Sequence, residues 1–412
     1  MQRQWKPIKK QMKMEQLKIF AKTLEDVAYR QVVEMSESVA YKDCLVRIMP
    51  DCHAGNSCTV GTVIKVGERV VPNTVGGDIG CGMLVAVFKN LELDLQRLDE
   101  VINTLVPSGF NIHETPVTEY EPLQHLHSKA AVDINLALRA IGTLGGGNHF
   151  IEANRDDEGN TYIVIHSGSR NLGLRVCKYY QEMAVKDMEN ISLKVREVIK
   201  RMKAEGRERE ISQALAAIEK PKVNKVLAHI QGEHLDDYLH DMDITQEYAR
   251  LNRETMLGII CRAMGITPDS VFQTIHNYIE RNGEEVILRK GAVSAKAGET
   301  LIIPMNMRDG SLICVGKGNA DWLCSAPHGA GRLMSRSAAH QAITLEQFEA
   351  SMQGIYSTSV CAETIDESPM AYKPMQEIID CIQPTVEIRK IIRPIYNFKA
   401  KGTVKMESEL SE

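Results

Sequence analysis

Apolar residues fall at helical spacing through QLKIFAKTLEDVAYRQVVEM, which predicts a basic, helical N-terminal segment over residues 1–40. Over residues 45–87 the period changes. Short β-branched runs broken by Gly, Pro and Asn read there as strands and loops. Helical spacing returns over residues 91–105 and 128–141, the latter leading into the loop GTLGGGNH. TYIVIH predicts a strand, followed by the loop SGSR and a helix over 171–188. Residues 190–262 read as a largely helical insertion with a break near Lys220-Pro221. SVFQTIH predicts a strand ending in histidine, and LIIPMNMRDGSLICVG two strands around an Arg-Asp-Gly turn. HGAGRLMSRSAAHQAI predicts a glycine loop opening a helix; a last helix follows over 375–382, then a polar tail at 400–412. Helices and strands do not alternate regularly, so the expected class is α+β: residues 1–412 as one integrated domain, with a β-rich core carrying the site.

Composition narrows the class. Of 412 residues, 43% are hydrophobic and 25% charged, which excludes a disordered or fibrous chain. No apolar run approaches the roughly 18 residues of a membrane helix, and the first residues lack a signal-peptide core, so a cytoplasmic protein is expected. A net charge of -5 argues against binding nucleic acid through overall charge, while leaving room for a local basic groove. Arg3, Lys6, Lys9, Lys10, Lys13 and Lys18 are read first as a solvated helix face. Ten cysteines without a CxxC make neither a disulfide framework nor a zinc ribbon.

The candidate chemistry lies in the loops. Five of the twelve histidines sit in loop signals: His53 in PDCHAG, His149 in GGGNH, His166 in VIHSGSR, His276 in TIHN and His328 in APHGAGR. One such histidine alone is better read as structural. Five together point to metal ligation, because metal sites draw imidazoles from separate loops. In GGDIGCGM, glycines bracket Asp78 and Cys81 and let the backbone turn both toward one point, a mixed O/N/S site suited to manganese or zinc. HGAGR and HSGSR each set backbone N–H groups beside an arginine, Arg332 and Arg170, an arrangement that suits phosphate.

PDCHAG, GGDIGCGM, GGGNHFIE, HSGSR, HN, HGAGRLMSRS and SPMAYK occur here in the order seen in the RtcB family of RNA ligases, which the chain resembles from about Ile48 to Lys399. The resemblance implies an enzyme that joins RNA 2′,3′-cyclic phosphate or 3′-phosphate ends to 5′-hydroxyl ends, in tRNA splicing or RNA repair. It implies GTP and two Mn²⁺ ions as cofactors, a histidine–GMP intermediate, and an archease-like activator as a possible partner. By motif position the nucleophile is His328, oriented by Asp51, and Arg170 and Arg332 hold the RNA phosphate. The metal ligands are Asp78, Cys81, His149, His166 and His276, with Cys81 bridging. Guanylate contacts fall on Asn148, His149, Phe150, Ile151, Glu152, His276, Asn277, Pro304, Met305, Asn306, Met307 and Ser311. They continue on His328, Gly329, Ala330, Gly331 and Lys399. Pro327 and the segment PMNMRDGS depart from the commoner family pattern. Two other readings use the same residues: a dinuclear metallophosphoesterase acting on RNA ends, and an RNA-end-binding protein with an inactive site.

Overall fold

Seven antiparallel strands make the sheet on which the rest of the chain is assembled. The computed structural model describes residues 15–189, 191–216, 223–283 and 285–401. The strand order is Thr300–Asn306, Gly310–Gly316, Val386–Phe398, Phe150–Arg155, Thr161–Ser167, Gly82–Phe88, Ser270–Ile275. Side chains alternate across it, as the two-residue period of a strand requires. Leu84, Ala86, Ile163 and Ile165 pack against Met256 and Ile260 of the long helix Glu233–Met264. Met83, Val85 and Val164 face the other way and meet Ile302 and Ile392 of strands at the far side, so the sheet curls over onto itself. With both faces covered, these strands read as nearly continuous apolar runs.

A second sheet holds Leu17–Ile19, Leu45–His53, Val60–Val66, Glu285–Lys290 and Asn277–Asn282, with only the first pair parallel. One residue, His276, separates Ser270–Ile275 in the first sheet from Asn277–Asn282 in the second. The architecture is mixed α+β, as the irregular element order predicts.

Several local expectations are corrected. The N-terminal segment is not one helix: Leu17–Ile19 is a strand beside Leu45–His53, and the helix is Asp26–Ser36. Sheet pairing there overrides helix propensity. Lys18 bonds to Asp321 at 2.8 Å, while the other five N-terminal basic residues lie outside the described residues, as do the Lys220-Pro221 break and nearly all of the tail. The helix expected over 128–141 shrinks to Ile134–Ala140, because Asp133 caps it and a short turn, Lys129–Ala131, precedes it. The helix after HGAGR begins only at Arg336, capped by Ser335. Gly331 has a positive φ of 76°, and Arg332 makes an extended bridge to Tyr372, so the glycine loop cannot run straight into a helix. Helix Arg170–Glu189 does follow HSGSR directly.

Candidate metal centre and histidine nucleophile

Strand ends of the seven-stranded sheet deliver four ligand-type side chains to one edge. Cys81 immediately precedes Gly82–Phe88, His149 immediately precedes Phe150–Arg155, His166 lies within Thr161–Ser167, and His276 follows Ser270–Ile275. The register pairs Gly82 with Ser167 and Ile275, and Phe150 with His166, which aligns all four. Cys81 Sγ lies 3.4 Å from His149 Nε2 and 3.3 Å from His166 Nε2. His166 Nε2 is 3.4 Å from His276 Nε2, and His149 Nε2 is 3.0 Å from Asp78 Oδ2.

The backbone decides which nitrogen carries each proton. His149 Nδ1 faces the Leu144 carbonyl at 2.9 Å, and His166 Nδ1 faces the Asn148 carbonyl at 3.1 Å. A carbonyl only accepts, so Nδ1 of each ring is the donor; Nε2 of both rings turns toward Cys81, and that of His149 also toward the Asp78 carboxylate, where an ion would take the place of a proton. His276 Nε2 confronts another nitrogen, and its buried Nδ1 has no partner among the described residues. Ring nitrogens and a carboxylate converging on a buried thiol, with one imidazole nitrogen left without a partner, are what a cation would resolve. The donor set therefore fits divalent ions.

Electrostatics agree. Burial first, then the neighbouring imidazoles, push His166 and His276 well down, which favours the neutral, ligating form of both rings. Burial opposes ionisation of Asp78, yet His149 holds its carboxyl well below the usual range. Burial and then Asp78 push the Cys81 thiol well up; an adjacent cation would reverse this by favouring the thiolate.

His328, just past the strand Ser325–Pro327, stands beside this cluster with its ring centroid 4.7 Å from that of His276. Its Nδ1 donates to Asp51 Oδ2 at 2.7 Å and its backbone N–H reaches the same oxygen at 3.2 Å. Asp51 is fully buried. Nδ1 is thus committed to Asp51, so of the two ring nitrogens Nε2 is the one placed to attack. Lys373 ties the two sides of this pair together. Its Nζ donates to the carbonyls of Pro50 (2.9 Å), Cys52 (3.3 Å) and Thr23 (2.9 Å), and its backbone N–H to Gly331 at 3.0 Å. A Cβ on Gly331 would meet the Asp51 carbonyl oxygen at 2.2 Å, so only glycine lets loop and strand approach this closely.

The ligand cluster and His328 open onto a cavity of about 1370 Å³, while Asp51 and Lys373 stand behind its wall. Of the metal and nucleotide candidates only Ile151 and Ser311 do not border it. Ile151 points to the opposite face from its neighbours Phe150 and Glu152 and joins the core, and Ser311 is fully buried in its strand. Asn277 borders the cavity, but its amide is engaged in the scaffold, donating to the Asp78 carbonyl at 3.1 Å and accepting from Gly291 N–H at 3.0 Å. Arg170, at positive φ, donates to Thr143 Oγ1 at 3.1 Å and the Gly109 carbonyl at 2.9 Å. Its guanidinium passes where a Cβ on Gly145 would lie, 1.6 Å from Nη1.

Lys399 directly follows the strand Val386–Phe398. It is buried, donates to Glu367 Oε2 at 2.7 Å, and lies 5.3 Å from the Phe150 ring centroid. Glu152 is pushed up to about 7 by burial, against the opposing charge of Lys399. Lys290, Arg336, His340, Glu367 and Tyr372 also line the cavity and were not among the sequence candidates. SPMAYK contains Tyr372 and HGAGRLMSRS contains Arg336, and Glu367 stands just before the first of these motifs; Lys290 and His340 sat in unremarkable strand or helical patterns.

Known proteins resemble the chain along most of its length. The family profile described as "RtcB: tRNA-splicing ligase RtcB" matches residues 31–134 and 122–400. The RNA-splicing ligase RtcB of Escherichia coli is 32% identical over 85% of this chain and 88% of its own length. The tRNA-splicing ligases RtcB of Archaeoglobus fulgidus and Methanococcus maripaludis are each 25% identical, over 81% and 93% of this chain and 83% and 94% of their own.

Proposed function

The chain belongs to the RtcB family, and from that premise we propose that it is an RNA ligase. It joins RNA ends bearing a 2′,3′-cyclic phosphate or 3′-phosphate to 5′-hydroxyl ends, using GTP and Mn²⁺ and carrying GMP on His328. The observation that carries this reading is the Asp51–His328 pair set against the Cys81–His149–His166–His276 cluster. A hydrolase needs only a water activated by its metal ions and has no use for an imidazole oriented at that place.

Two divalent ions held by Asp78, Cys81, His149, His166 and His276 would neutralise the triphosphate and polarise the attacked phosphorus. His328 Nε2 then attacks the α-phosphorus in line, the N–P bond forming as the bond to pyrophosphate breaks. Asp51 stabilises the resulting cationic ring through the hydrogen bond at Nδ1. GMP passes to the RNA 3′-phosphate, and the 5′-hydroxyl displaces it. Arg170 and Arg332 hold the RNA phosphate, while Glu152 and Lys399 face the base. The test is incubation with GTP radiolabelled at the α-phosphate, in Mn²⁺. The wild type should acquire acid-labile label and His328→Ala none; an unlabelled wild type would refute the reading.

A further inference from the structure

Glu367 closes the short turn Ala362–Glu367 and is almost wholly buried at the cavity wall. Four donors from separate parts of the chain converge on its two oxygens. Oε2 accepts from Lys399 Nζ at 2.7 Å and from the Tyr372 hydroxyl at 2.6 Å. Oε1 accepts from Arg336 Nη1 at 2.9 Å and Arg332 Nη1 at 3.3 Å. A carboxylate offers about four lone-pair directions, so this one is saturated.

The arrangement constrains Lys399 in particular. Its ammonium has three N–H groups. One goes to Glu367, one reaches the Asn148 carbonyl at 3.5 Å, and the ammonium sits 5.3 Å from the Phe150 ring centroid. The third N–H is left to address the cavity. Lys399 and the buried Glu152 both line the cavity, yet Glu152 takes its hydrogen bonds from the amides of Asn154 and Asn397. Without Glu367, the ammonium would have another buried carboxylate to move toward.

We infer that Glu367 is a positioning residue for base selection: it keeps Lys399 off Glu152 and aims its remaining N–H at the base. The same carboxylate holds Arg332 and Arg336, so the base end and the phosphate end of the cavity share one anchor. The inference rests on the proposed use of GTP. Glu367→Gln keeps size but turns one acceptor oxygen into a donor amide. That amide must face either Lys399 and Tyr372 or the two arginines, and donor meets donor in both cases.

The experiment measures label transfer to the protein against GTP and ATP concentration in Mn²⁺, for wild type, Glu367→Gln, Lys399→Met and the double variant. Glu367→Asp guards against a fold failure, since it retains the charge the three cations need but is one methylene short of serving both ends. Expected for Glu367→Gln is about a tenfold loss of preference for GTP over ATP, expressed in KM for GTP rather than kcat. Glu367→Asp should lose preference in the same direction. In the double variant preference should fall no further than in Lys399→Met alone, because the two residues act as one unit. Unchanged preference in both Glu367 variants, or equal losses with GTP and ATP, would overturn the inference while leaving the ligase reading intact. A wild type that takes up no label would overturn both.

Discussion

At the scale of single residues, the site separates side chains that do chemistry from those that hold them. Asp51→Asn should leave the fold intact and slow label transfer from GTP by about 10³-fold or more, because an amide cannot stabilise the cationic ring formed at His328. Single-turnover labelling measures this, and a rate near wild type would remove Asp51 from the role. Cys81→Ser should weaken Mn²⁺ binding by about a hundredfold, at least the cost of losing an outer-shell partner, since a serine hydroxyl stays protonated. Calorimetric titration of the two proteins decides it, with equal affinities counting against Cys81 as a ligand. Glu152 yields a pH signature. Burial raises its folded value from 4.5 to about 7, so its stabilising contribution is complete below the unfolded value and lost as pH rises through about 7. The loss is on the order of 3 kcal/mol at most. Urea unfolding of Glu152→Gln should therefore lack part of the decline that the wild type shows between about pH 5 and 8; parallel curves would contradict the assignment.

At the scale of elements, the long helix Glu233–Met264 is what keeps the ligand loops in place. Asn252, fully buried on it, accepts from the N–H groups of Gly142 and Thr143 and donates to Ser167 Oγ and the Gly168 carbonyl. Its neighbour Arg253 donates to the carbonyls of Gly80 and Ser167. These two residues grip the loops carrying Cys81, His149 and His166 from behind. Asn252→Ala would leave several buried groups unpaired and should cost about 3 kcal/mol in urea unfolding, with weaker Mn²⁺ binding. A variant as stable as wild type would show the grip to be dispensable. Nothing in the local pattern marks either residue, because both fall within an ordinary helical stretch. The strand Val386–Phe398 escaped the sequence reading for a related reason. Pro394 argues against a central strand, yet the sheet accommodates it at an irregularity between Pro394 and Tyr396.

At the scale of the whole molecule, that same strand lies inside the seven-stranded sheet, pairing with Gly310–Gly316 on one side and Phe150–Arg155 on the other, and it carries Lys399 just beyond its end. Ending the chain at Thr385 should therefore abolish cooperative unfolding altogether rather than merely remove a base contact. A thermal melt of the shortened protein checks this, and a sharp transition would show that the sheet closes without the strand. The amino-acid sequence by itself determined the α+β class, most of the longer helices, several of the strands, and the chemical identity of the ligand candidates, the nucleophile coming from the family resemblance. These follow from local periodicity and from residue types that have few other uses in glycine loops. Only the tertiary structure decided that Arg332 and Lys399 converge on Glu367, that Lys373 spans strand and nucleophile loop, and that Ile151 and Ser311 turn away from the cavity. Such pairings join residues far apart in the chain and depend on sheet register and on which face a side chain takes. No local pattern encodes either, because both are settled only when the strands pair and the sheet curls.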